Sequence, residues 1–127
     1  MAQPQPAFEA NTRAVDEEVI RELRSLDEPG EDSFFGGLVQ EFSAEGARLL
    51  GGVHRAAEAG DAMAMRNFAH SLKGSSGSMG ATGLAGLCGQ LEGFGRQNDM
   101  PGARLLLPLL QNEWNRVMEA LRRHLNE

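Results

Sequence analysis

The apolar positions of this 127-residue chain recur at helical spacing, and no stretch alternates apolar with polar in the manner of a strand. Val19, Ile20, Leu23 and Leu26 form a first stripe. Asp16 stands before it as a candidate N-cap, with Glu17 and Glu18 in a first turn where acids suit the helix dipole. Asp27-Glu28-Pro29-Gly30 stops this helix. Asp32 or Ser33 opens a second, in which Phe34, Phe35, Leu38, Val39, Phe42, Leu49, Leu50 and Val53 keep the period to about Ala59. Gly60 suits the residue after a helix and Asp61 the next cap. Met65, Phe68, Leu72 and Met79 are the buried stripe of a third helix that closes at Gly80, and Leu84, Leu87, Cys88, Leu91 and Phe94 that of a fourth. After a turn at Asn98-Asp99-Met100-Pro101, a last helix carries Leu106, Leu110, Trp114, Val117, Leu121 and Leu125. Pro108 falls inside it and is expected to kink it or split it. The pattern predicts an all-α fold, an antiparallel up-and-down four-helix bundle with a short extra N-terminal helix. Residues 1–14, rich in Pro and Gln, read as a flexible lead, and 15–127 as the bundle domain.

Charge and cysteine usage narrow the function. A net charge of -6 argues against nucleic acid as a general partner, because phosphate contacts need clustered Lys and Arg. The single cysteine, Cys88, excludes an internal disulfide and fits a reducing, cytoplasmic setting; its place on the apolar stripe makes it a core residue. No apolar run has the length of a membrane span, and the N-terminus lacks a signal-peptide pattern. The methionines and Trp114 read as core, and His54 and His124 as solvated or interfacial. Gly74, Gly77, Gly80, Gly83, Gly86 and Gly89 recur every third residue, but the tract is short, lacks proline and carries a helical stripe, so it is not collagen-like. Glycines inside a helix cost on the order of 1 kcal/mol each, so some are expected to serve close packing or partner access.

The stretch that stands out is Phe68 to Gly80, Phe-Ala-His-Ser-Leu-Lys-Gly-Ser-Ser-Gly-Ser-Met-Gly. Lys73, the only lysine, follows His70 by one helical turn, and Gly74 and Gly77 share that face. The face lies off the buried stripe, so His70 is expected to be at least partly exposed. An enzyme site is not evident. No phosphate-binding loop has Walker spacing and no dinucleotide fingerprint occurs. Ser71 diverges from His70 by about 100° on a helix, so the two cannot pair as nucleophile and base. Glu-x-x-His pairs of the di-iron type are absent. What remains is His70 as a nucleophile whose electrophile comes from outside. Imidazoles are largely neutral and nucleophilic near physiological pH. A phosphoryl group on the ring would find a counter-charge in Lys73, and Gly74 and Gly77 leave room for whatever delivers it. Ser75 or Ser76 could add a hydroxyl, although neither lies squarely on that face. An ordinary surface histidine is the alternative.

The run Ala69–Gly80 resembles the signature of histidine-containing phosphotransfer (HPt) domains: a histidine, Lys-Gly three and four residues on, small residues, and a glycine that ends the helix. The resemblance extends through Leu84, Cys88 and Leu91 and, more loosely, from Phe34 to Leu125. It implies that His70 takes a phosphoryl group from an aspartyl phosphate on a receiver domain and passes it to another receiver, within a multistep two-component phosphorelay. It also implies no ATP site, no autonomous kinase activity and no cofactor of this chain's own, with magnesium on the receiver. Partners would be receiver domains of response regulators or a hybrid sensor histidine kinase. The family carries a polar residue on the next helix near the histidine, where this chain has Glu92; a carboxylate there can orient the ring but also repels a phosphate. Arg96, one turn on, is a rim contact. The partner is expected to dock on helices two and three, with apolar area from Phe34, Phe35 or Leu38. A non-catalytic adaptor that binds a receiver or another signalling enzyme is the second reading, and a haem- or metal-binding bundle the third. A free-standing protein and a module of a hybrid kinase both fit the sequence.

Overall fold

The computed structural model describes residues 13–28 and 33–126, and among these it contains five helices and no strand. They are α1 (Glu17–Arg24), α2 (Phe34–Ala59), α3 (Ala62–Ser78), α4 (Thr82–Arg96) and α5 (Met100–Leu125). The first twelve residues of the expected lead, the Pro29-Gly30 breaker and Asp32 lie outside the described residues.

Side-chain caps start four of the helices. Asp16, Ser33, Asp61 and Asp99 each accept a backbone N–H from the first turn of α1, α2, α3 and α5. Gly60 ends α2 in the left-handed region at φ 73°, and Gly80 does the same in the α3–α4 turn at φ 76°. Pro108 does not split α5, which runs unbroken through it. Pro108 and Arg104, four residues earlier, are both exposed, so the carbonyl left without its usual helical donor lies on the wet side of the helix.

The four long helices close a ring: α2 packs on α3, α3 on α4, α4 on α5, and α5 returns to α2. α3 and α5 are therefore diagonal. Gly52 and Gly46 let α2 come close to both neighbours. A Cβ at Gly52 would lie 2.6 Å from the Phe68 ring, and one at Gly46 2.5 Å from the Trp114 indole. Trp114 also meets Phe42, with ring centroids 5.3 Å apart. Val53, Met65, Ala69, Leu72, Leu84, Cys88, Leu91, Leu110, Val117 and Leu121 fill the core with no exposure.

α1 covers one end of the bundle. The Asp16 N–H donates to the Gly80 carbonyl at 2.8 Å, and His124 Nε2 lies 3.1 Å from Glu17 Oε1, joining α1 to the end of α5. Three sequence expectations shift here. Ala14, counted with the lead, is buried beside Val15. Leu26, counted in the α1 stripe, is exposed because the helix has already ended at Arg24. Met63, counted as core, is 71% exposed, since it faces away from the stripe of Met65, Ala69 and Leu72. No described helix is long and apolar enough to cross a membrane.

Candidate functional site

α3 presents two faces. Met65, Ala69, Leu72 and Ser76 are buried, three and four residues apart. His70, Gly74 and Gly77 lie on the opposite side in solvent, with the His70 side chain 69% exposed. Neither Gly74 nor Gly77 is required by internal packing, since a Cβ at either would meet nothing within 4 Å. The open face opposite the core is thus kept free of side chains immediately after the histidine.

The tight turn at Gly80-Ala81 sets the register of α4 against α3. His70 and Glu92 are equidistant from Ala81 along the chain, and so are Lys73 and Gly89. Glu92 is buried at 6% exposure and divides its carboxylate between two partners. Its Oε2 lies 2.8 Å from His70 Nδ1, and its Oε1 2.5 Å from Lys73 Nζ. The Lys73 stem runs along Gly89, 3.7 Å from the position of a Cβ there. Burial pushes the Glu92 carboxyl up, but hydrogen bonds and charge from Lys73 and His70 outweigh it and hold the group below the usual carboxylate range. An ionised carboxylate only accepts hydrogen bonds, so the proton of the neutral ring belongs on Nδ1, and the Nε2 lone pair is free.

His70, Lys73 and Glu92 therefore form one cluster, with Gly74 and Gly77 beside it. Arg96 ends α4 one turn beyond Glu92, exposed and outside the cluster. Ser75 is half-buried and off the His70 face. Ser76 is fully buried, its hydroxyl without a partner, and so is not available to an incoming group. Helical periodicity does not show the Lys73–Glu92 pair, although counting outward from the turn puts Glu92 within reach of both Lys73 and His70. Cys88 is buried, and burial first, then the nearby Glu92 charge, pushes its thiol up to about 12. It is unreactive. Among the described residues no three His, Cys, Asp or Glu side chains converge as metal ligands would. A groove of about 610 Å³ lined by Glu17, Ile20, Arg21, Arg24 and His124 lies at the α1 end and does not include His70.

The fold and the exposed histidine define a class that the comparisons identify. The Hpt domain family matches residues 37–124, and the chain belongs to that family of histidine-containing phosphotransfer proteins. Its structure is similar to that of histidine-containing phosphotransfer protein B (HptB) from Pseudomonas aeruginosa PAO1, with a TM-score of 0.78 and 32% identity over 87% of this chain and 93% of that one. A rice structure assigned as a histidine-containing phosphotransfer protein shares the fold, with a TM-score of 0.71 and 24% identity over 90% of this chain and 87% of that one. No curated protein sequence matched.

Proposed function

We propose that His70 is the phosphoryl-accepting residue of a phosphorelay, taking the group from an aspartyl phosphate on a receiver domain and handing it to a second receiver. One observation carries the assignment: His70 Nδ1 is held by the buried Glu92, while the ring stands 69% exposed. The free Nε2 lone pair attacks phosphorus, the Nε2–P bond forms, and the P–O bond to the receiver carboxyl breaks. The receiver carboxylate leaves with the electron pair, and the Nδ1 proton stays on the ring, donated to Glu92. Onward transfer is the same exchange in reverse with a new carboxylate. Lys73, one turn away, offsets the charge of the phosphoryl group, and Gly74 and Gly77 admit the receiver surface. Ser75 and Arg96 are assigned to the rim of the docking area.

Binding follows the α3 face. Phe35 is core and Leu38 is partly buried, so neither offers the apolar area expected of it. Phe34 is 46% exposed but stands about 24 Å along α2 from the level of His70, taking 1.5 Å per residue from the Gly52–Phe68 contact. Met63, on the His70 face and two turns earlier, is the better anchor. The setting is the cytoplasm, where receiver domains and their kinases work.

Incubation with a phosphorylated receiver and a search for acid-labile, alkali-stable label tests the assignment. Label on the wild type and none on His70→Gln is expected. No label on the wild type, or undiminished label on His70→Gln, overturns it and leaves the adaptor reading.

A further inference from the structure

We infer that Glu92 sets the poise of the transfer, biasing His70 toward passing the phosphoryl group on and against storing it. The inference rests on the reading of His70 as the acceptor. In the resting protein Lys73 is already committed, because its ammonium lies 2.5 Å from Glu92 Oε1 and its stem is packed along Gly89. The cation and the carboxylate cancel. A phosphoryl group on Nε2 brings close to two negative charges to the edge of this cluster. It must share Lys73 with a carboxylate that is buried and cannot turn away into water. The same carboxylate adds its own repulsion, in surroundings less screened than the surface.

The ring proton would be held by carboxylate and amide alike, so it bears on the ease of transfer and leaves the equilibrium to the charge. Glu92 keeps the proton on Nδ1, so the phosphorylated ring has imidazolium character and departs as neutral imidazole when the next carboxylate attacks phosphorus. A neutral leaving group makes the N–P bond easy to break. Glutamine at this position would accept the same Nδ1 hydrogen bond through its amide oxygen without the charge, and would leave Lys73 free for the phosphate. Glu92 is therefore a positioning residue whose charge, as distinct from its hydrogen bond, tunes the equilibrium.

The test uses a receiver domain labelled with radioactive acetyl phosphate, freed of excess donor and mixed with the wild type or Glu92→Gln until the label stops redistributing. The equilibrium constant toward the phosphohistidine should rise roughly ten-fold in Glu92→Gln, which by the usual conversion is about 1.4 kcal/mol. A purely structural role would slow the approach to equilibrium and leave the constant where it was. If Glu92→Gln fails to fold, Glu92→Met replaces it. That variant also removes the charge and should raise the constant, but it loses the ring hydrogen bond and should approach equilibrium more slowly than the wild type. A constant equal to or below the wild-type value in the folded variant overturns the inference. A wild type that takes no label instead overturns the acceptor assignment, so the two failures are distinguishable.

Discussion

His70 and Leu72 stand two residues apart on α3 and face opposite ways, the imidazole 69% exposed and the leucine with no exposure at all. Their truncations should separate function from stability. His70→Ala should abolish phosphoryl transfer and lower the unfolding free energy by about 0.5–1.5 kcal/mol, the loss of its hydrogen bond to the buried Glu92. Leu72→Ala should cost roughly 2–5 kcal/mol, because it opens a cavity in the core. Chemical denaturation of both variants checks this, and a reversed order would mean that α3 is rotated from the position described.

The glycines divide the same way. Gly46→Ala drives a methyl group to 2.5 Å from the Trp114 ring and should cost about 1–3 kcal/mol. Gly74→Ala and Gly77→Ala meet open space and should stabilise α3 by about 0.5–1 kcal/mol each, since alanine is the better helix former. If those two positions are kept bare for the partner, the more stable variants should transfer more slowly at low receiver concentration. Thermal melts paired with transfer rates decide it.

These contrasts show what the sequence made legible. The helical period of the apolar residues and the aspartate and serine caps were enough to place five helices, and the spacing of His70, Gly74 and Gly77 was enough to place them together on the solvent side of α3. Local pattern carries that information. The Lys73–Glu92 ion pair joins two helices and depends on the register imposed by the Gly80 turn, which helical periodicity does not contain. Residue type alone suggests core for Met63, whereas its position relative to Met65 and Ala69 puts it in solvent. Of the kink or split expected at Pro108, the split does not occur, for a related reason: the proline lies on the wet side of α5, where water can take the unpaired carbonyl.

Two buried glutamates should give the fold opposite responses to pH. The Glu92 carboxyl is buried, which raises it, but Lys73 and His70 bring it below the usual range, near 4.3 for an unfolded chain. Its contribution to stability is present above that range and is lost as pH falls through the lower folded value. Glu113 is raised, mainly by burial, with Arg116 at 2.8 Å offsetting part of the shift and Oε2 left without a partner. Its contribution is present below the usual range and is lost as pH rises through the higher folded value. Denaturation across a pH series should therefore show the wild type losing its advantage over Glu92→Gln in acid. Against Glu113→Gln it should lose ground as pH rises above the usual carboxylate range. Parallel curves for the wild type and either variant would mean that the carboxylate concerned does not titrate differently on folding.

Met63 should contribute to affinity without touching the chemistry. It lies two turns before His70 on the same face of α3 and is 71% exposed, so covering it with a partner would bury a large apolar side chain. It is also the second residue of α3, where an aspartate suits the helix dipole, so Met63→Asp should fold as well as the wild type. The half-saturating receiver concentration should rise by roughly ten-fold, equivalent to about 1.4 kcal/mol of lost contact, while the transfer rate at saturation stays close to that of the wild type. Leu105→Asp is the matched control. Leu105 is 79% exposed but belongs to α5, diagonal to α3 across the bundle, and its replacement should leave both quantities unchanged. If Leu105→Asp weakened the complex and Met63→Asp did not, the receiver would be docking on the α5 side, and an exposed histidine on α3 would be out of its reach.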